Sequence, residues 1–210
     1  MVTITPSVMA RNQHDLANLL KKYGEIAKTL HLDVVDGKFA PNRSLYFKFQ
    51  LSDQFQYNAH LMVKQPEQWI KKYGHLVGLC IVQAGAINDK AKFIFRMNKL
   101  GKKVAFALKP EEKISLIQPY LKEIDYLLIL TVNPGFYGSR YLKKPLSKIK
   151  LAKKINPRVK IIVDGGMNPL TVKDAVKAGA EIVVCGSYLA EAKDIKMAMK
   201  KIKKSLKGLD

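Results

Sequence analysis

The residues of this sequence best suited to chemistry are His31, Asp33 and Asp36 in His-Leu-Asp-Val-Val-Asp-Gly, His60 in His-Leu-Met-Val, and Asp164 just before Gly165 and Gly166. His31 and Asp33 stand two apart in a β-rich run, and the period of two along a strand places them on one face. His31, Asp33, His60 and Asp164 together offer two imidazoles and two carboxylates. That mixed N/O set suits Zn2+, Fe2+, Mn2+ or Co2+ and poorly suits copper(I) or an iron–sulfur cluster. Donor softness alone leaves the four ions open. A single histidine on an apolar strand is ordinarily a satisfied core residue. Here several apolar runs each deliver a ligand-type side chain, which favours a shared centre. His14 and His75 fall in helical or loop stretches and read as surface residues.

A second group of residues suits anions. Gly135 and Gly138 in Asn-Pro-Gly-Phe-Tyr-Gly, the pair Gly165-Gly166, and the step Gly186-Ser187 each follow an apolar run. Glycine lets a backbone N–H come close to a phosphate oxygen, and a helix start after the last run adds its dipole. Each glycine taken alone is a turn residue. Their recurrence at successive run ends is what points to a phosphate site.

The elements that must position these groups are legible as alternation. Short β-rich runs at 3–9, 29–35, 58–63, 77–82, 103–108, 126–132, 160–163 and 181–185 predict eight strands. Helix-period segments at 15–28, 66–73, 90–100, 112–121, 145–155, 169–178 and 189–206 lie between or after them. Pro66, Pro145 and Pro169 fall at first helical positions, and Gly101 and Gly179 just past last ones. Near-continuous apolar strands alternating with helices predict an α/β chain, a single (β/α)8 TIM barrel spanning 1–210. The stretch 37–56 is long and poorly periodic, with room for a short helix plus a loop. In such a barrel, function sits at the carboxyl ends of strands, where the histidines, aspartates and glycines above all fall.

The whole-chain arithmetic narrows the partners. In 210 residues, 48% are hydrophobic and 26% charged, enough for one substantial core. The longest apolar run, 126–132, falls far short of the roughly 18 residues needed to span a bilayer, so no membrane association is expected. The start lacks a basic segment ahead of an apolar one, which makes the cytoplasm the expected compartment. Cys80 and Cys185 sit in apolar runs and read as buried thiols. The 37 basic and 17 acidic residues give a net charge of +20. Lysines interleaved with Ile149, Leu151 and Ile155, or with Ile195, Met199 and Ile202, are the solvated faces of amphipathic helices. A field of this sign also gathers small phosphorylated substrates. No zinc-finger spacing or RNA-binding motif accompanies the charge, so specific nucleic-acid binding is not expected.

Several motifs in order carry a resemblance. They are Ile4-Thr-Pro-Ser7, His31-Leu-Asp33-Val-Val-Asp36-Gly37 followed by Phe39-Ala-Pro41-Asn42, His60-Leu-Met62-Val63, Thr131-Val-Asn133-Pro-Gly-Phe136, Val163-Asp164-Gly-Gly-Met-Asn168, and Gly186-Ser187. Along nearly its full length the chain resembles the ribulose-phosphate 3-epimerases, metal-dependent barrels of the ribulose-phosphate-binding type. The resemblance implies that His31, Asp33, His60 and Asp164 bind one divalent ion, and that Asp33 and Asp164 are the acid/base pair. It implies that Ser7 and His60 contact substrate, that Met62 lies against the reacting carbons, and that Gly135, Gly138, Gly165, Gly166, Gly186 and Ser187 line the phosphate site. The expected activity is interconversion of D-ribulose 5-phosphate and D-xylulose 5-phosphate, with a small phosphorylated ketose as ligand and a homo-oligomer as assembly. Where the family has a histidine and then a glutamate, this chain has Ile81 and Gln83. Val35 stands for a methionine, Lys109 for an asparagine, and Tyr137-Gly138-Ser139 for a Gly-Gly-Gln loop. These changes bear on which ketose phosphate is preferred, a hexulose 6-phosphate being the alternative substrate and a non-catalytic sugar-phosphate-binding barrel the alternative function.

Overall fold

The computed structural model describes residues 2–136 and 138–209. Every expected β-rich run forms a strand: β1 (Thr3–Val8), β2 (Thr29–Asp36), β4 (Gln56–Met62), β5 (Leu79–Gln83), β6 (Lys103–Leu108), β7 (Tyr126–Leu130), β8 (Lys160–Asp164) and β9 (Ile182–Cys185), with an added two-residue β3 (Arg43–Ser44). The eight long strands are parallel in the order β1-β9-β8-β7-β6-β5-β4-β2, and β1 also pairs with β2, which closes the sheet. This is the (β/α)8 barrel. The short β3 lies antiparallel on β2 at the mouth.

Both strand faces are buried, which is why the runs read as continuously apolar. Leu30, Leu32 and Val34 of β2 join the core beneath the helices, while His31 and Asp33 alternate onto the barrel interior. The rest of that interior is filled by Leu79, Ile81, Ala105, Ala107, Leu128, Leu130, Ile162 and Val184. The polar groups therefore sit above an apolar plug that shuts water out from below. Cys80 and Cys185 are buried free thiols, as expected.

The helices are α1 (Gln13–Tyr23), α2 (Pro66–Tyr73), α3 (Lys90–Lys99), α4 (Ser147–Ile155), α5 (Val172–Lys177), α6 (Ser187–Ala190) and α7 (Ile195–Ser205). Pro66 opens α2 and Gly101 and Gly179 follow α3 and α5 with positive φ, as read from the sequence. Pro145 and Pro169 instead precede α4 and α5 by a turn. The helix expected over 15–28 starts at Gln13 and ends at Tyr23, before Gly24, and three further segments differ from expectation. The stretch 112–121 is no α-helix but two 3-10 turns, Ile114–Leu116 and Gln118–Tyr120, because Pro119 has no N–H and its ring opposes the carbonyl four residues back. Ile114, Ile117 and Leu121 are buried nonetheless. The stretch 189–206 breaks into α6 and α7 because Asp194 caps a new start, its carboxylate accepting from the Met197 N–H at 2.8 Å. The stretch 37–56 holds β3 but no helix. It is pinned by Ala10 N–H to Ser44 Oγ at 3.1 Å, by Leu45 N–H to the Ala10 carbonyl at 2.8 Å, and by Phe49 stacked on Tyr73.

Candidate metal centre and substrate cleft

Register brings the charged side chains together. Ser7 is level with His31 across β1 and β2, and Asp33 is level with His60 across β2 and β4. Asp164 ends β8, two strands from β1 around the ring. His31 Nε2 lies 3.5 Å from Asp33 Oδ1 and 3.9 Å from Asp164 Oδ2, and His60 Nδ1 lies 3.4 Å from each of the same two oxygens. All four ligand atoms fall within 4.8 Å of one another.

Those separations fit a shared cation. His31 Nε2, Asp33 Oδ1 and His60 Nδ1 are buried and make no hydrogen bond. Buried polar atoms are ordinarily satisfied, so three orphans facing one point call for a common partner. Ligands about 2.1 Å from one ion in tetrahedral array stand roughly 3.4 Å apart, close to the 3.4 to 3.9 Å that separates the imidazoles from the carboxylates. The electrostatics agree. Burial alone raises the Asp33 carboxyl, yet the imidazoles of His31 and His60 hold it well below the usual carboxylate range. Burial alone lowers His60, yet Asp164 and Asp33 push it up to about 9. Positive charge is favoured between the two carboxylates, and the residues present can hold a divalent ion.

A cleft opens above this cluster. Ser7, Asp33, Met62, Gly135, Gly138, Asp164, Gly165, Gly166, Gly186 and Ser187 all line it, so the structure gathers the expected substrate residues at one mouth, with His31 and His60 buried beside them. The glycines are there for space as well as for conformation. Gly165 has φ +109°, and a Cβ on it would sit 2.5 Å from Val132 Cγ2. Gly135 has φ +121° and would meet Ala40 at 2.9 Å. Neighbouring hydrogen bonds fix the rim. Asp36 accepts from the N–H groups of Lys38, Phe39 and Lys64, each at 2.8 Å, tying the ends of β2 and β4 together. Thr131 Oγ1 donates to the carbonyls of Asp164 and Gly165, at 3.0 and 2.6 Å.

Sequence reasoning left out Met9, Val132, Phe136 and Met167, which also line the cleft. It noted Gln83 only as a departure, whereas Gln83 Nε2 lies 2.7 Å from His60 Nε2. Of the other departures, Ile81 is part of the interior plug and Val35 packs with Ala40 and Met62 at the mouth. Lys109 is engaged by Glu111 at 2.9 Å rather than turned into the cleft. Ser139 lines the cleft. Tyr137 lies outside the described residues. His14 and His75 are exposed, as expected.

Known proteins resemble this chain in sequence and in fold. The ribulose-phosphate 3 epimerase family model covers residues 3–190. The ribulose-phosphate 3-epimerase of Aquifex aeolicus is 31% identical over 189 residues, covering 84% of each chain. That of Schizosaccharomyces pombe is 31% identical over 202 residues, covering 90% of this chain and 87% of its own. The Bacillus subtilis enzyme is 29% identical over 218 residues, 98% of this chain and all of its own. Among solved structures, a 3-hexulose-6-phosphate synthase superposes with a TM-score of 0.68 at 18% identity over 97% of this chain and 99% of its own. KGPDC from Streptococcus mutans superposes with 0.70 at 16% identity over 100% and 99%. At those identities the structures attest the barrel alone. The sequence matches go further: the chain is an enzyme and belongs to the ribulose-phosphate 3-epimerase family.

Proposed function

We propose that residues 1–210 act as one catalytic barrel that interconverts D-ribulose 5-phosphate and D-xylulose 5-phosphate. The observation that carries this reading is the pair Asp33 and Asp164, two carboxyls lining one cleft beside two buried imidazoles, with glycines on the adjoining rim. Inverting the carbon beside a carbonyl means removing a proton from one face and returning one to the other. Asp33 on β2 and Asp164 on β8 are separated in the ring by β1 and β9, so they enter the cleft from different sectors of its rim. One carboxylate takes the proton and the other carboxyl delivers its own.

A positioned acid or base contributes roughly 10² to 10⁴-fold, about 3 to 5 kcal/mol, against about 8 to 23 kcal/mol for whole enzymes. Charge stabilisation must supply much of the remainder. A divalent ion, Zn2+, Fe2+, Mn2+ or Co2+, held by His31, Asp33, His60 and Asp164 would act as a Lewis acid on the oxygens that gain negative charge. Backbone N–H groups at Gly165, Gly166, Gly186 and Ser187 orient the phosphate, Ser7 contacts a hydroxyl, and Met62 packs on the reacting carbons. The apolar plug below excludes water from this chemistry. The same reading carries a cytoplasmic homo-oligomer, checked by sedimentation of the purified chain. Among the described residues no helix is long and apolar enough to cross a membrane.

Turnover of D-ribulose 5-phosphate by protein stripped with a chelator and reloaded with each ion tests the proposal, alongside Asp33→Asn and Asp164→Asn. Activity restored by metal, and reduced at least 10²-fold in both variants, is the expected result. Full activity in both variants removes the acid/base assignment. A hexulose 6-phosphate turned over with the higher kcat/KM would reassign the substrate, and no turnover of any ketose phosphate by metal-loaded protein would leave a binding barrel.

A further inference from the structure

His60 has two ring nitrogens with different tasks. Nδ1 faces the two carboxylates at 3.4 Å, and Nε2 meets the side-chain amide of Gln83 at 2.7 Å. His60 and Gln83 are both fully buried, so no water can replace either partner. A nitrogen–nitrogen contact of that length needs one proton between the atoms. An amide N–H can donate to a bare Nε2, in which case a neutral ring carries its proton on Nδ1. A ring N–H on Nδ1 would face the two carboxylates but cannot ligate a cation. Gln83 Oε1, meanwhile, is buried without a hydrogen-bond partner. A half-turn of the amide exchanges its oxygen and nitrogen in the same space, and Oε1 then accepts from Nε2–H. In that arrangement Nδ1 presents its lone pair to the point between Asp33 and Asp164. Gln83 is able to serve both ring states because an amide carries a donor and an acceptor, whereas an ionised carboxylate there could only accept.

We propose that Gln83 is a positioning residue for the metal centre: its amide oxygen holds Nε2–H of His60 so that Nδ1 can bind a divalent ion. This rests on the metal-centre reading above. Histidine ligands in general owe their orientation and tautomer to the group on the far nitrogen, and losing that partner costs 10- to 100-fold in affinity.

The test is Co2+ titration of the stripped full chain against a chromophoric chelator, with the cobalt absorption spectrum recorded. Ring 15N shifts of histidine-labelled protein, stripped and Zn2+-loaded, report which nitrogen carries the proton. Gln83→Leu, of similar size but unable to hydrogen-bond, should bind Co2+ 10- to 100-fold more weakly, and Gln83→Glu at least as tightly as wild type. In Zn2+-loaded wild type, His60 should carry its proton on Nε2 with Nδ1 shifted as a metal-bound nitrogen. Gln83→Leu affinity within twofold of wild type, weaker binding by Gln83→Glu, or a Zn2+-loaded His60 with no proton on Nε2 would each overturn the proposal. If Gln83→Leu does not fold, the wild-type shifts decide alone. Failure of the wild type itself to bind any ion would instead remove the metal-centre reading on which the inference stands.

Discussion

Gly165 lines the cleft at a point with no room for a side chain. Its φ of +109° is one that side chains rarely adopt, and the atoms a methyl group would strike include the Val132 backbone N at 3.0 Å, which cannot step aside. Gly165→Ala should therefore lose about 1 to 3 kcal/mol in denaturant unfolding and displace the end of β8, lowering kcat/KM as well. Asp36 invites a different experiment. Burial raises its carboxyl, but the N–H groups of Lys64, Phe39 and Lys38 lower it further than burial lifts it. A carboxyl depressed in the folded state contributes stability that is present above the ordinary carboxylate range near pH 4, and that stability is lost as pH falls toward the folded value. Asp36→Asn should melt below wild type at pH 7, with the gap closing as the melts are taken down to pH 3. A gap independent of pH would show that the ionised form is not what ties β2 to β4. At this scale His31 and Asp33 were legible because the strand period leaves only one way for them to face. Gln83 was not, because one amide in a buried strand has no spacing to betray it, and Met9 and Phe136 reach the cleft through loops whose curvature no periodicity encodes.

The strands were legible as elements because burial on both faces makes each a compact apolar run, and register did the rest by setting Asp33 beside His60. The helices were less so where a local signal competes with the periodic one. The buried spacing of Ile114, Ile117 and Leu121 imitates a helix, and Pro119 prevents one while leaving the apolar contacts in place. In 189–206 the apolar period runs on through a break that Asp194 imposes. Its bond to the Met197 N–H at 2.8 Å satisfies one of the free donors at the start of α7. Asp194→Ala should destabilise the protein by about 0.5 to 2 kcal/mol, with α7 opening first in hydrogen exchange. Unchanged exchange across α7 would mean that packing of Ile195, Ala198, Met199 and Ile202 against the core sets this boundary without the cap.

At the scale of the whole molecule the dominant feature is the net charge of +20. Much of the excess lies on the outer helices, with Lys150, Lys153 and Lys154 on α4 and Lys200, Lys201, Lys203 and Lys204 on α7, interleaved with the buried residues that hold each helix to the barrel. Lysines so placed keep the apolar faces inward and add no contact at the cleft, so their influence on a phosphorylated ligand must act through the summed field. Such a field raises encounter rates by 10 to 10³-fold at its strongest, and salt removes it as the Debye length shrinks from about 30 Å at 0.01 M to about 3 Å at 1 M. The chemical step proposed above takes place among buried groups that salt screens far less. Raising ionic strength over that range should lower kcat/KM for a ketose phosphate several-fold while leaving kcat within twofold. A flat kcat/KM would assign the lysines to solvation alone. Equal losses in kcat and kcat/KM would place the salt effect at the metal centre rather than in the approach of substrate.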